Sequence, residues 1–102
     1  MAQFVKLCSK QELPPAGEAA EIKLDHRTIC VANAEGSISA MDNVCVHRGG
    51  PLGQGVVDGD KLICPWHGWS FNIKTGESAH NPVAKVNVYP LKIEGDDVLI
   101  EI

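Results

Sequence analysis

The chain has 102 residues, of which 44% are hydrophobic and 22% charged, with a formal net charge of −4 and a pI near 5.4. That size and balance suit a single globular domain with a modest core, and the absence of a basic patch excludes an electrostatic nucleic-acid binder. No stretch approaches the roughly 20 apolar residues of a membrane span, and the start Met1-Ala2-Gln3-Phe4-Val5-Lys6 carries no apolar run of signal-peptide length, so a reducing cytoplasm is the expected compartment.

In chain order, Val5-Lys6-Leu7 before Cys8 is strand-like. Ser9-Lys10-Gln11-Glu12-Leu13 is the best helical candidate, but Pro14-Pro15 limits it to one turn. Ala20, Ile22 and Leu24 alternate with Glu21, Lys23 and Asp25, which predicts a half-buried strand. Asp25-His26 reads as a turn into Thr28-Ile29-Cys30-Val31-Ala32, and Ala34-Glu35-Gly36 as a second turn into Ser37-Ile38-Ser39-Ala40-Met41. From Asp42 to about Pro82 the texture changes: Gly49 to Gly76 hold seven of the ten glycines, and Arg48 to Gly59 reads as loop. Period-two patterning returns with Val86 and Val88, then Leu91 and Ile93, then Val98, Ile100 and Ile102, with Glu94-Gly95-Asp96-Asp97 as the last turn. No segment keeps a 3.6-residue apolar period. The expected fold is therefore all-β, an antiparallel sandwich or partly open barrel. Residues 1–102 form one domain in this reading, with a lobe of about 42–82 inserted between outer strands and too poor in apolar residues to fold without a bound group.

Within that lobe lie Cys45-Val46-His47 and, after sixteen intervening residues, Cys64-Pro65-Trp66-His67. Each arm offers one thiolate and one imidazole, a donor set that serves either structural zinc or an iron–sulfur cluster with mixed ligation. Gly49-Gly50 follows the first arm and Gly68 the second, so both arms read as tight loops. Zinc ribbons and fingers usually place like ligands together rather than one of each per arm. The leftover Cys8 and Cys30, amid strand residues, are expected to be buried free thiols.

The pattern C-x-H…C-x-x-H, with glycine after each histidine, resembles the Rieske family of [2Fe–2S] proteins. The resemblance implies that Cys45 and Cys64 bind one iron of a [2Fe–2S] cluster and that His47 and His67 bind the other, more exposed one. It implies that Gly49, Gly50 and Gly68 let the loops approach the cluster, and that Asn81-Pro82-Val83 corresponds to a third, covering loop. Neutral imidazoles in place of thiolates raise the potential. Rieske proteins of respiratory and photosynthetic complexes also carry a cysteine in each cluster loop, joined as a disulfide; those places hold Gly50 and Trp66 here. Where that branch has serine and tyrosine hydroxyls donating to sulfur, this chain has Trp69 and Phe71, with Ser70 pointing the other way in an extended segment. Fewer donors disfavour the reduced state, so the expected potential is low for the family, roughly −150 mV.

The implied function is that of a Rieske-type ferredoxin, a one-electron carrier and not an enzyme, between a flavoprotein reductase and a terminal oxygenase. The alternatives are an electron-transfer small subunit of a larger enzyme such as nitrite reductase, and a colourless zinc-stabilised interaction module. A self-contained oxygenase would need a mononuclear iron, and only His26 and His80 are spare. His26 reads as a turn residue, His80 as an exposed loop residue, and Asp58, Asp60 and Glu77 as a solvated rim. Arg48 suits an ion pair or the docking surface, and Trp66, at a loop tip, is the tryptophan expected to meet a partner.

Overall fold

A computed structural model describes residues 3–25, 27–44, 50–66, 68–78 and 85–102. Among these residues, ten antiparallel strands form three sheets. The middle layer is four-stranded, in the order β2 (Ala19–Leu24), β3 (Arg27–Ala34), β4 (Ser37–Asp42) and β8 (Val88–Tyr89). The hairpin expected around Asp25-His26 forms, with Leu24 opposite Arg27 and Asp25 at φ +55°. The turn between β3 and β4 has Glu35 and Gly36 both at positive φ, as a two-residue hairpin of the right twist requires. Gly36 N–H also donates to Asn33 Oδ1 at 2.8 Å.

Each face of this sheet is covered. Ile22, Leu24, Ile29, Val31, Ile38 and Ala40 pack against a three-stranded sheet of β1 (Phe4–Ser9), β10 (Asp97–Glu101) and β9 (Leu91–Glu94), which supplies Leu7, Cys8, Leu91, Val98 and Ile100. Strand β1 also runs beside β2, and β9 beside β4, so the two sheets close toward a partly open barrel. A bulge opposite Leu99 and Val98 puts an extra residue in β1, and Leu7 and Cys8 are consecutively buried there. A single 3-10 turn, Lys10–Glu12, follows β1, as the prolines dictate.

The other face, carrying Cys30, Ala32 and Met41, packs on the segment that lies in sequence between β4 and β8. Within that segment, expected as a lobe poor in apolar residues with Arg48 to Gly59 as loop, the described residues hold more regular structure. They form a 3-10 turn (Leu52–Gln54) and a sheet of β5 (Val56–Asp58), β6 (Lys61–Ile63) and β7 (Ser70–Asn72). Leu52, Leu62, Phe71 and Ile73 are fully buried with Cys30 and Met41 in one core. The strands are only three residues long and separated by Gly59-Asp60 and the 64–69 loop, so no alternation of useful length shows in the sequence. Because both faces of β3 are covered, Ile29, Cys30, Val31 and Ala32 are all at zero exposure. Its continuous apolar run is the mark of a doubly buried strand.

Candidate metal centre

Of the four expected ligands, Cys64 is described; Cys45, His47 and His67 lie outside the described residues, as do Arg48, Gly49, His26, His80 and Asn81-Pro82-Val83. The described framework nevertheless fixes where each arm begins and ends.

The first arm leaves the sheet at the end of β4. Val44 and Pro51 form an antiparallel bridge, so the chain leaves and rejoins the framework at one place. Asn43 secures both flanks. Its backbone C=O accepts from Leu52 N–H at 2.9 Å, and its Oδ1 accepts from Gly53 N–H at 2.6 Å. Its amide Nδ2 donates to Glu21 Oε2 at 2.6 Å, and Gln54 Nε2 donates to Glu21 Oε1 at 3.1 Å. Asn43 is one of two buried polar residues among those described, at 8% exposure.

The second arm is the connection of the β6–β7 hairpin, closed by Cys64 N–H donating to Trp69 C=O at 2.7 Å. Cys64 is 1% exposed and belongs to the same core as Cys30, Leu62 and Phe71. The two tryptophans diverge. Trp66 stands at the tip, 48% exposed, whereas Trp69 packs against the core with its ring centroid 6.5 Å from that of Phe71. Phe71 is fully buried and Ser70 only half-buried, in keeping with alternation along an extended segment.

The third stretch expected at the site is also closed at its stem. Glu77 bridges Lys85, Ser78 bridges Phe71, and Val86 N–H donates to Gly76 C=O at 3.0 Å. Gly76 has φ +81°, and a Cβ there would overlap Val86 O, so only glycine fits. The two stems of the expected covering loop therefore meet beside β7, the strand that also receives the second arm.

The described part of the site, one of the four expected ligands, is compatible with a group held between the two arms. Gly50 is buried against the second arm: a Cβ on it would lie 2.9 Å from Cys64 Sγ and 2.9 Å from Trp66 Cγ. The missing side chain lets the two loops close on each other beside a buried thiol. Gly68 serves differently. It has φ +74° with no neighbour within 4 Å of an added Cβ among the described residues, so its requirement is the left-handed backbone rather than space.

Cys8 and Cys30 are buried and free, as expected. Burial, with the Glu21 carboxylate adding to it, pushes the Cys30 thiol up to about 12, which keeps it neutral and inert. Asp58, Asp60 and Glu77 are exposed, and Asp60 pairs with Lys61 at 3.1 Å. Sequence reasoning missed Asn43, Glu21 and Gln54. Asn43 follows the last residue of β4, a place where such side chains bond local backbone, and that was the one available signal.

Comparison with known proteins places this framework. A family model described as the Rieske [2Fe-2S] domain matches residues 3–90. The biphenyl dioxygenase ferredoxin subunit of Pseudomonas sp. (strain KKS102) is 36% identical over 100 residues, covering 96% of this chain and 91% of that one. Among solved structures, the Sphingomonas yanoikuyae B1 ferredoxin matches with a TM-score of 0.86 at 30% identity, over 98% of this chain and 99% of that one. The complex of reduced oxygenase and oxidized ferredoxin in carbazole 1,9a-dioxygenase contains a chain that matches at 0.81 and 25% identity, over 95% and 91%. The sequence match over residues 3–90 spans both arms, and the fold match runs nearly end to end, so the chain belongs to the Rieske [2Fe–2S] family and takes a Rieske-type cluster as its cofactor.

Proposed function

We propose that this chain is a cytoplasmic one-electron carrier that accepts electrons from a nicotinamide-reduced flavoprotein reductase and delivers them to a terminal oxygenase. Cys45 and Cys64 would hold one iron of the cluster, and His47 and His67 the other. The whole chain of 102 residues acts as one unit, with the segment of about 42–82 as its cluster-binding lobe. When bound, such a cluster supplies reversible one-electron chemistry at a potential raised by its neutral imidazole ligands.

The observation that carries this reading is the contact of Gly50 with Cys64 and Trp66, which brings the stem of the first arm onto the buried thiol of the second. The protein's own residues do the rest. The core around Cys64 excludes water from the thiolate side, while Trp66 and Val44, at 48% and 60% exposure, flank the arms and offer a partner uncharged apolar surface. The relatives named as ferredoxin components of dioxygenase systems support an oxygenase as the acceptor.

The test is visible absorption and electron paramagnetic resonance of the purified protein before and after dithionite, with iron and sulfide analysis. The expected result is a red-brown protein with two irons and two sulfides per chain, whose reduced form has an average g below that of all-cysteine clusters. His67→Cys should then lower the potential and flatten its dependence on pH. A colourless protein that binds zinc would overturn the proposal.

A further inference from the structure

The Glu21 carboxylate lies on β2, 24 residues before Cys45 in the chain, yet it is bonded to both flanks of the first arm. One oxygen accepts from Asn43, two residues before Cys45; the other accepts from Gln54, beyond the loop. Asn43 in turn accepts from Gly53 N–H through Oδ1 and from Leu52 N–H through its backbone C=O. Gly53 is pressed against the same carboxylate stem: a Cβ there would overlap Glu21 Cγ and stand 2.8 Å from Asn43 Oδ1. The amide-to-carboxylate bond at 2.6 Å is short, as bonds to an ionised acceptor are. Neither flank has a competing ion pair among the described residues, whose salt bridges lie elsewhere, on Lys6, Lys61 and Lys92.

We infer that Glu21, acting through Asn43, is a positioning residue for the first ligand arm: it clamps the two flanks of the arm to β2 and so sets how firmly Cys45 and His47 are presented to the cluster. The inference rests on the ligand assignment proposed above. An alternating strand residue ordinarily spends its polar side chain on solvent. Glu21 is itself exposed, yet both its carboxylate oxygens bond the two sides of one loop, adding a tie to β2 to the flank-to-flank bond of Leu52 N–H to Asn43 C=O and the Val44–Pro51 bridge. Outer groups that orient ligands in this way typically change metal retention by about 10–100-fold when removed.

The bond polarity permits a sharp test. Asn43 must donate to residue 21 and accept from Gly53. In N43D the donor is lost and two carboxylates face each other. In E21Q/N43D the direction reverses. The amide introduced at position 21 donates to the carboxylate introduced at position 43, which still accepts from Gly53 N–H, and the carbonyl of that amide still accepts from Gln54. The experiment loads the full chain with its cluster, adds an iron chelator, and follows loss of visible absorption, with the reduced-state g-values recorded in parallel.

The expected result is release about tenfold faster or more in E21A and N43D, with altered g-values, and return to wild-type behaviour in E21Q/N43D. Lys23→Ala, an exposed change on the same strand, should behave as wild type. The inference is overturned if E21A retains its cluster and g-values as wild type does, or if N43D and E21Q/N43D release at the same rate. Should E21A fail to fold, the N43D and E21Q/N43D pair decides alone. A wild-type chain that bound no [2Fe–2S] cluster would overturn the ligand assignment itself, and this inference with it, whereas normal wild-type loading with an unaffected E21A removes this inference only.

Discussion

Substituting Gly50 by alanine adds one methyl group at the junction of the two arms. Its Cβ would start 2.9 Å from Cys64 Sγ, 2.9 Å from Trp66 Cγ and 3.1 Å from Trp66 Cβ. Ordinary heavy-atom contacts lie at about 3.5–4.0 Å, so a separation of roughly 0.6–1.1 Å must be found. Cys64 cannot supply it: the residue is 1% exposed, sits in the shared core, and has its N–H fixed to Trp69 C=O. Trp66 is half exposed and its ring can turn, but its Cβ follows the backbone of the same hairpin. The displacement therefore falls on the Gly50-Pro51 side and lifts the first arm away from the second.

Overpacking of this kind costs about 1–3 kcal/mol, which a domain of this size usually survives. Ligand geometry is less forgiving, since metal sites tolerate deviations of about 0.2 Å. The expected outcome is a folded Gly50→Ala protein that binds well under half the wild-type iron and sulfide. Gly36→Ala provides the control. It destabilises to a comparable extent by a different route, backbone strain at φ +93° in the β3–β4 turn with no neighbour within 4 Å, at about 1–2 kcal/mol. Iron analysis, reduced-state paramagnetic resonance and thermal unfolding of all three proteins make the comparison. The reasoning is refuted if Gly50→Ala carries a full cluster with wild-type g-values, or if Gly36→Ala loses as much cluster as Gly50→Ala does.

Gly50→Cys/Trp66→Cys should form a disulfide on air oxidation, since an ideal Cβ at Gly50 lies 3.1 Å from Trp66 Cβ and bridged pairs average about 3.8 Å; an intact mass without loss of two hydrogens would show that the loops do not meet there. Stability should fall as pH rises above 9. The Cys30 thiol, raised by burial, and the Tyr89 hydroxyl, raised by burial and by its 2.5 Å bond to Asp42, both fold in the neutral form. Their contribution is complete below the ordinary values of 9.0 and 10.0 and is lost as pH passes through the raised ones, about 12 for Cys30. Tyr89→Phe should cost about 1–2 kcal/mol at pH 7 in urea unfolding and progressively less above pH 10, and a constant difference across that range would contradict the assignment. Trp69→Ser should raise the potential by tens of millivolts, where 59 mV is one tenfold step for one electron. Potentiometric titration showing no rise would count against missing hydroxyl donors as the cause of a low potential. The loss of Trp69 packing on the core will lower thermal stability in the same variant.

The outer strands were most legible where alternation runs over five or six residues, as in β2 and β10. The β2–β3 pairing ends at Leu24 and Arg27 and the β3–β4 pairing at Ala34 and Ser37, where the turns were expected. The inserted segment was not legible in this way. Val56-Val57-Asp58 pairs with Lys61-Leu62-Ile63 over three positions, too short a run for alternation to register, and glycines that look like loop are there for close approach. At Gly55 a Cβ would overlap Ile63 O, so the residue belongs to a packed sheet edge rather than to a flexible connection. The apolar residues of this segment, Leu52, Leu62, Phe71 and Ile73, are few but complete a core that Cys30, Ala32 and Met41 provide from the middle sheet.

The ligands themselves stood out because cysteine and histidine are scarce and their spacing is chemically restrictive, whereas the residues that support them have ordinary meanings elsewhere. Glu21 in a period-two strand reads as solvent-facing, and Asn43 after a strand reads as turn. Only their meeting across the sheet gives them a role. Gly50 shows the same limit from the other direction. Its need for close approach was legible, but the described contact is with Cys64 and Trp66 of the opposite arm. The contrast with the respiratory branch makes that contact informative, because the places of Gly50 and Trp66 are where that branch joins its loops by a disulfide. Here, among the described residues, a bare backbone seated against an indole stands at those two places. Such a junction has no sulfur–sulfur bond to be reduced, so the loop geometry is independent of the thiol poise around it, which fits a carrier proposed to work in a reducing compartment.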